Sequence, residues 1–107
     1  MKYLLLLILC QSCLLSGFID DDSRVQYKND SNLDITGLRF AGEELFWNGR
    51  LASGEKTKVI THKYRGLFQL EVQIDSTEWF SIRNKIDYAG GSQIIFLQEN
   101  SGSWSTK

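Results

Sequence analysis

From Arg24 onward, apolar and polar positions alternate with a period of two, and no window carries the i, i+3, i+4, i+7 stripe of an amphipathic helix. Successive side chains on a strand point to opposite faces, so the pattern predicts an all-β domain. Val25 and Tyr27 alternate with Arg24, Gln26 and Lys28 in a first strand, which the turn-forming cluster Asn29-Asp30-Ser31-Asn32 closes. Leu33 and Ile35 open a second strand in one phase, and Leu38 and Phe40 continue it in the other. Gly37 stands between them, the place of a β-bulge. Asn48-Gly49, after Leu45, Phe46 and Trp47, is the strongest hairpin signal in the chain, because both central residues of a type I′ turn take positive φ. Arg50 and Leu51 would begin the returning arm.

Thr57 to Tyr64 reads as a further strand, turned by Tyr64-Arg65-Gly66. Phe68, Leu70, Val72 and Ile74 then alternate with Gln69, Glu71 and Gln73, which predicts one strand with a buried face and a wet face. Asp75-Ser76-Thr77 makes the next turn; beyond it Phe80 and Ile82 point inward while Ser81 and Arg83 point out. Asp87 through Ser92, with Gly90-Gly91, reads as a connection, and Gln93 to Gln98 is apolar enough for a central strand. From Asn100 a polar Ser-Gly-Ser stretch predicts a flexible tail over 100–107. Six or seven strands at intervals of about 8–12 residues match a small antiparallel β-sandwich or barrel over residues 24–99. The run from Asn29-Asp30-Ser31 through Ile35, followed by Leu51 and Ser53-Gly54-Glu55, resembles the opening strands of small Ig-like bacterial envelope domains. That resemblance favours the sandwich.

Ahead of this domain the pattern changes character. Met1, Lys2 and Tyr3 form a short positive start, and Leu4 to Leu9 is an uninterrupted aliphatic run, well under the roughly 20 residues a spanning helix needs. Asp20-Asp21-Asp22 ends the apolar region, so the N-terminus reads as an export signal. Leu9-Cys10-Gln11-Ser12-Cys13 resembles the lipobox of bacterial lipoproteins, with Ser12 at the small position and Cys13 at the lipidated one. The resemblance implies a signal peptide over 1–12, a lipid on Cys13 and a tether over 13–23 that leaves the membrane. Cleavage near Ser16 or Gly17 would give instead a secreted chain without cysteine. Asn29-Asp30-Ser31 is also an N-glycosylation sequon, which leaves a eukaryotic secreted origin open.

Composition narrows the function. A chain of 107 residues accommodates one domain, and 42% hydrophobic with 23% charged residues is globular composition. Net charge is −1, which lends no support to a nucleic-acid partner held through phosphates. The only two cysteines, Cys10 and Cys13, lie in the N-terminal region, so the domain has no disulfide and must be stabilised by burial. A redox role for Cys10 and Cys13 is disfavoured because no βαβ pattern follows.

Candidate chemistry is sparse. His62 is the only histidine, lies in a strand, and has no G-x-S-x-G elbow or second base beside it, so it reads as a surface or half-buried strand residue rather than a catalyst. One histidine and no domain cysteine cannot supply the usual zinc ligands. Asp30-Ser31-Asn32-Leu33-Asp34 opens like a calcium loop, but Ile35 replaces the turn glycine and Ala41 the bidentate glutamate, which makes it an Asx-rich turn. Glu43 and Glu44 are adjacent and read as turn residues rather than paired catalytic acids. No cofactor, metal or enzymatic activity is expected. Trp47, Trp79 and Arg83 remain as a candidate binding surface, since a tryptophan on the wet side of a strand can anchor a protein interface or stack on a sugar. The sequence therefore predicts a non-enzymatic, lipid-anchored protein-binding module of a bacterial envelope, or alternatively a carbohydrate or cell-wall binding module.

Overall fold

The computed structural model describes residues 22–63 and 65–107; the leader, Cys13 and the tether up to Asp21 lie outside the described residues. The period-two pattern is realised most plainly in the strands Ser23–Asn29 and Leu70–Ile74, each with one face buried. β1 (Ser23–Asn29) buries Ser23, Val25, Tyr27 and Asn29 in strict alternation. β2 (Ile35–Phe40), β3 (Leu45–Leu51), β4 (Ile60–His62), β5 (Gly66–Phe68), β6 (Leu70–Ile74), β7 (Glu78–Ser81), β8 (Ile86–Tyr88), β9 (Gly91–Asn100) and β10 (Ser103–Thr106) follow. One sheet has the order β10-β9-β1-β4, a second the order β3-β2-β6-β7, and β5 pairs with β8 in a short ribbon. The two larger sheets enclose one apolar core, with Val25, Tyr27, Leu97 and Trp104 from the first and Ile35, Leu38, Leu70 and Val72 from the second. The domain is a small all-β sandwich, as the alternation predicts.

Several details depart from the expectation. The described residues form ten strands rather than six or seven. Among the described residues the strands pair antiparallel except β1 and β9, which run parallel from Ser23↔Gly91 to Asn29↔Leu97, and an isolated parallel bridge joins Ile82 to Trp104. The predicted 68–74 strand breaks at Gln69: Phe68 ends β5, which pairs with β8, while β6 pairs with β2 and β7. Alternation continues across the break, but the pairing partner changes, and periodicity carries no information about partners. Of the strand expected over Thr57 to Tyr64, Ile60–His62 is the part that forms among the described residues, preceded by an isolated Lys28↔Lys56 bridge.

The tail is the largest correction. Residues 103–106 form β10, hydrogen-bonded to β9 in the register Ser103↔Asn100 to Thr106↔Leu97. Trp104 is 2% exposed and is the largest fully inward side chain of its strand, so this stretch closes the core rather than fraying. Arg83 N–H donates to the Trp104 carbonyl at 2.9 Å, which fastens the new edge to the end of β7.

Asn48-Gly49 makes no turn. Both residues lie inside β3, which pairs with β2 from Arg39↔Leu45 to Ile35↔Leu51. The chain reverses instead at Ala41-Gly42, where Gly42 takes φ 80° and Glu43 N–H donates to Phe40 O at 2.8 Å. The phase break at Gly37 is a true irregularity of register, since Ile35↔Ile74 is followed by Gly37↔Gln73 with Thr36 left over. A Cβ on Gly37 would lie 2.8 Å from Gln73 Oε1 and 3.2 Å from the edge of the Trp79 ring, so this position is closely covered.

Asn29 ends β1 as a fully buried hub. Its amide donates to Leu33 O at 2.6 Å and Leu51 O at 2.8 Å, and its Oδ1 accepts from Ser31 N–H at 2.9 Å. The sequon is therefore an Asx turn whose nitrogen is enclosed and has both hydrogens engaged, and the folded domain has no room for a glycan there. Asp30 and Asp34 do not converge on a cation: Asp30 meets Lys107 at 3.1 Å and Asp34 meets Arg50 at 2.6 Å.

Candidate functional site

Three surfaces contain the residues with functional promise, and each follows from which phase of a strand faces out. On the first sheet, Val25 and Tyr27 of β1 and Ile95 and Leu97 of β9 are inward, so Arg24, Gln26 and Lys28 and their neighbours Ile94 and Phe96 face outward. In β4, Ile60 pairs with Val25, which places the preceding Val59 outward as well. Val59 is 58% exposed and Ile94 44% exposed; with Arg24, Gln26, Ser92 and Gln93 they line a shallow hollow of about 520 Å³. Phe96 continues the apolar strip, with Lys28 Nζ 5.9 Å and Lys107 Nζ 5.4 Å from its ring centroid. The result is an apolar strip rimmed by cationic groups.

The second surface is the outer face of the other sheet. Trp79 pairs with Gln73, whose other neighbour is Gly37, so its ring reaches over the glycine. The guanidinium carbon of Arg39 lies 4.0 Å from the Trp79 ring centroid, and Arg39 Nε donates to Glu71 Oε1 at 2.6 Å. Trp79 thus faces out, as expected, but one face of its ring is covered by a paired cation.

The third region lies at the end of the sandwich where the chain enters β1. His62, the last residue of β4, is 4% exposed rather than at the surface or half-buried. It shares the inward phase of Ile60, and its Nε2 lies 2.9 Å from the Tyr27 hydroxyl, which lies 2.9 Å from the Tyr88 hydroxyl. Phe46 meets the imidazole edge-on with centroids 4.8 Å apart, and Phe40 lies at 5.1 Å. Burial disfavours the imidazolium and pushes the His62 pKa below its ordinary value. Outside this cluster, Phe40, Phe46 and Phe68 continue into a cleft that Glu43, Glu44 and Leu45 border.

The expected binding residues do not form one patch. Trp47 pairs with Leu38 and packs partly buried against the core, at the gap between β3 and the segment leading into β4. Trp79 lies on β7, at the opposite edge of the same sheet, and Arg83 follows the end of β7, exposed beside β10. Sequence reasoning missed Val59, Ile94 and the aromatic end. Val59 and Ile94 stand out only once their inward neighbours are known, because an apolar run on a central strand looks the same whether one face or both are covered. Tyr27, Phe40 and His62 could have been read as inward from the phase of Val25, Leu38 and Ile60, but nothing in the alternation brings them together. Comparison with known proteins finds no matching family model, no matching curated protein and no matching solved structure.

Proposed function

We propose that this chain is an exported, non-enzymatic lipoprotein, held at a bacterial envelope membrane through Cys13, whose sandwich acts as a protein-binding or accessory module. The observation that carries the reading is the outer face of the β4-β1-β9 sheet, where Val59, just before β4, is 58% exposed and Ile94 of β9, on the other side of β1, is 44% exposed. Ile94 and Phe96 are successive outward positions of β9, with Val59 across β1 and polar groups between and around them, the mix of apolar and polar groups that a protein interface presents. Lys28, whose ammonium lies 5.9 Å from the Phe96 ring centroid, favours a partner with acidic groups beside its apolar patch. The leader and its lipobox-like Cys13 supply the address.

Expression of the whole chain in a bacterial host tests both halves of the reading. Intact mass is expected to show a chain starting at Cys13 with a diacylglycerol, and crosslinking in envelope extracts is expected to capture a protein partner. A double variant Val59→Lys with Ile94→Lys should fold and lose that partner. An unmodified chain starting near Phe18 would overturn the anchor, and capture unchanged in the double variant would overturn the face.

A further inference from the structure

The turn between β2 and β3 borders a cleft of about 670 Å³, lined by Phe40, Phe46 and Phe68 with Glu43, Glu44 and Leu45 among its walls. Its volume falls in the range of small-ligand and side-chain sites, about 300–1,000 Å³. Phe40 is the buried centre of the floor, with Phe46 at 4.9 Å and Phe68 at 5.0 Å between ring centroids. Phe46 and Phe68 are only half-buried, so part of each ring is left to the cleft. Aromatic faces carry negative potential, which adds to that of two carboxylates at the rim.

The charge pattern gives the cleft its selectivity. Asp22, Asp30, Asp34 and Glu71 each meet a lysine or arginine, at 3.6, 3.1, 2.6 and 2.6 Å respectively. Glu43 and Glu44 are exposed and meet no cation among the described residues. Lining an apolar floor with two unneutralised carboxylates suits a group that is apolar along its stem and positive at its tip. Lysine and arginine side chains have that form. A neutral apolar ligand would leave the carboxylates without gain, and an acidic one would be repelled.

We propose that this cleft receives a lysine or arginine side chain of a partner protein, its alkyl stem on Phe46 and Phe68 and its cationic head beside Glu43 and Glu44. The site is built by the second sheet, its β2–β3 turn and the end of β5, apart from the outer face of the first sheet, so the two surfaces can be tested separately.

The test uses the full chain in zwitterionic detergent, titrated with a fluorescein-labelled peptide Gly-Leu-Lys-Leu-Gly and with the same peptide carrying norleucine or glutamate at its centre. Fluorescence anisotropy is expected to saturate with the lysine peptide and to show binding about tenfold weaker for each of the other two. The double variant Glu43→Gln with Glu44→Gln should weaken the lysine peptide by a similar factor. Both residues lie exposed in a turn, so the fold should survive, which an unchanged melting temperature would verify. Glu78→Gln, at an exposed position on β7, should leave binding as it was, as should the Val59→Lys and Ile94→Lys variant that removes the other face. Equal binding of the norleucine peptide, preference for the glutamate peptide, indifference to the Glu43 and Glu44 changes, or no saturation at millimolar peptide would each overturn the proposal.

Discussion

His62 ties the fold to pH. Its ring is enclosed by Phe40, Phe46, Tyr27 and Tyr88, so the folded chain holds it neutral further into the acid range than the unfolded chain does. As pH falls below about 6.5 the unfolded state takes up the proton first, and stability drops until the folded-state value is passed. The slope for one proton cannot exceed about 1.4 kcal/mol per pH unit. Urea unfolding of the wild type at about pH 7.5 and about pH 5.5 should therefore show a loss that His62→Gln, which does not titrate, shows less of. Asn29 makes a second residue-scale case. Asn29→Ala leaves the Leu33 and Leu51 carbonyls and the Ser31 amide without their enclosed partner, at a cost of about 1–3 kcal/mol in the same measurement. The same enclosure means that, in a eukaryotic secretory host, the folded fraction should carry no glycan by mass.

At the scale of elements, legibility depends on whether a strand's identity lies in its own residues or in its partner's. β1 and β6 were readable because each alternates without interruption, and the β2 irregularity was readable because Leu38 and Phe40 are out of phase with Ile35. Asn48-Gly49 misled because a two-residue turn competes with pairing along the whole of β2; an extended β3 keeps Ile35↔Leu51 and Leu38↔Trp47, and Gly49 takes φ 146° inside the strand. β10 was hidden for another reason: one tryptophan among serines and glycine has no period, yet it fills the core. Trp104→Ala should cost about 3–5 kcal/mol, as for other large aromatic deletions from a packed core, where an exposed tail residue would cost nothing measurable. Denaturant midpoints of the two proteins decide between these. The apolar positions of the candidate face were equally opaque, since Ile94 and Ile95 are indistinguishable by composition and only the register Tyr27↔Ile95 tells which one the core takes.

The described domain is closed by its first strand and its last two. β1 begins the described chain, yet its longest pairing is with β9, while β4 offers it only Ser23↔His62, Arg24↔Thr61 and Val25↔Ile60. The central strand of the first sheet thus waits for the last third of the chain before its hydrogen bonds and its inward Tyr27 and Val25 are covered. Contacts so distant in sequence are costly in loop-closure entropy until they form, and they tend to form together. A chain ending at Ala89 would lack β9 and β10, leave one long edge of β1 open and uncover the core that Ile95, Leu97 and Trp104 close. At marginal domain stabilities of about 5–15 kcal/mol, that loss is decisive. The truncated chain should show no cooperative urea transition and no protected amides in β2 or β6, although both strands and their partners β3 and β7 are intact in it. Protection surviving in the β3-β2-β6-β7 sheet would mean that this sheet folds by itself, and that the parallel β1–β9 pairing is an addition to the domain rather than the step that closes it.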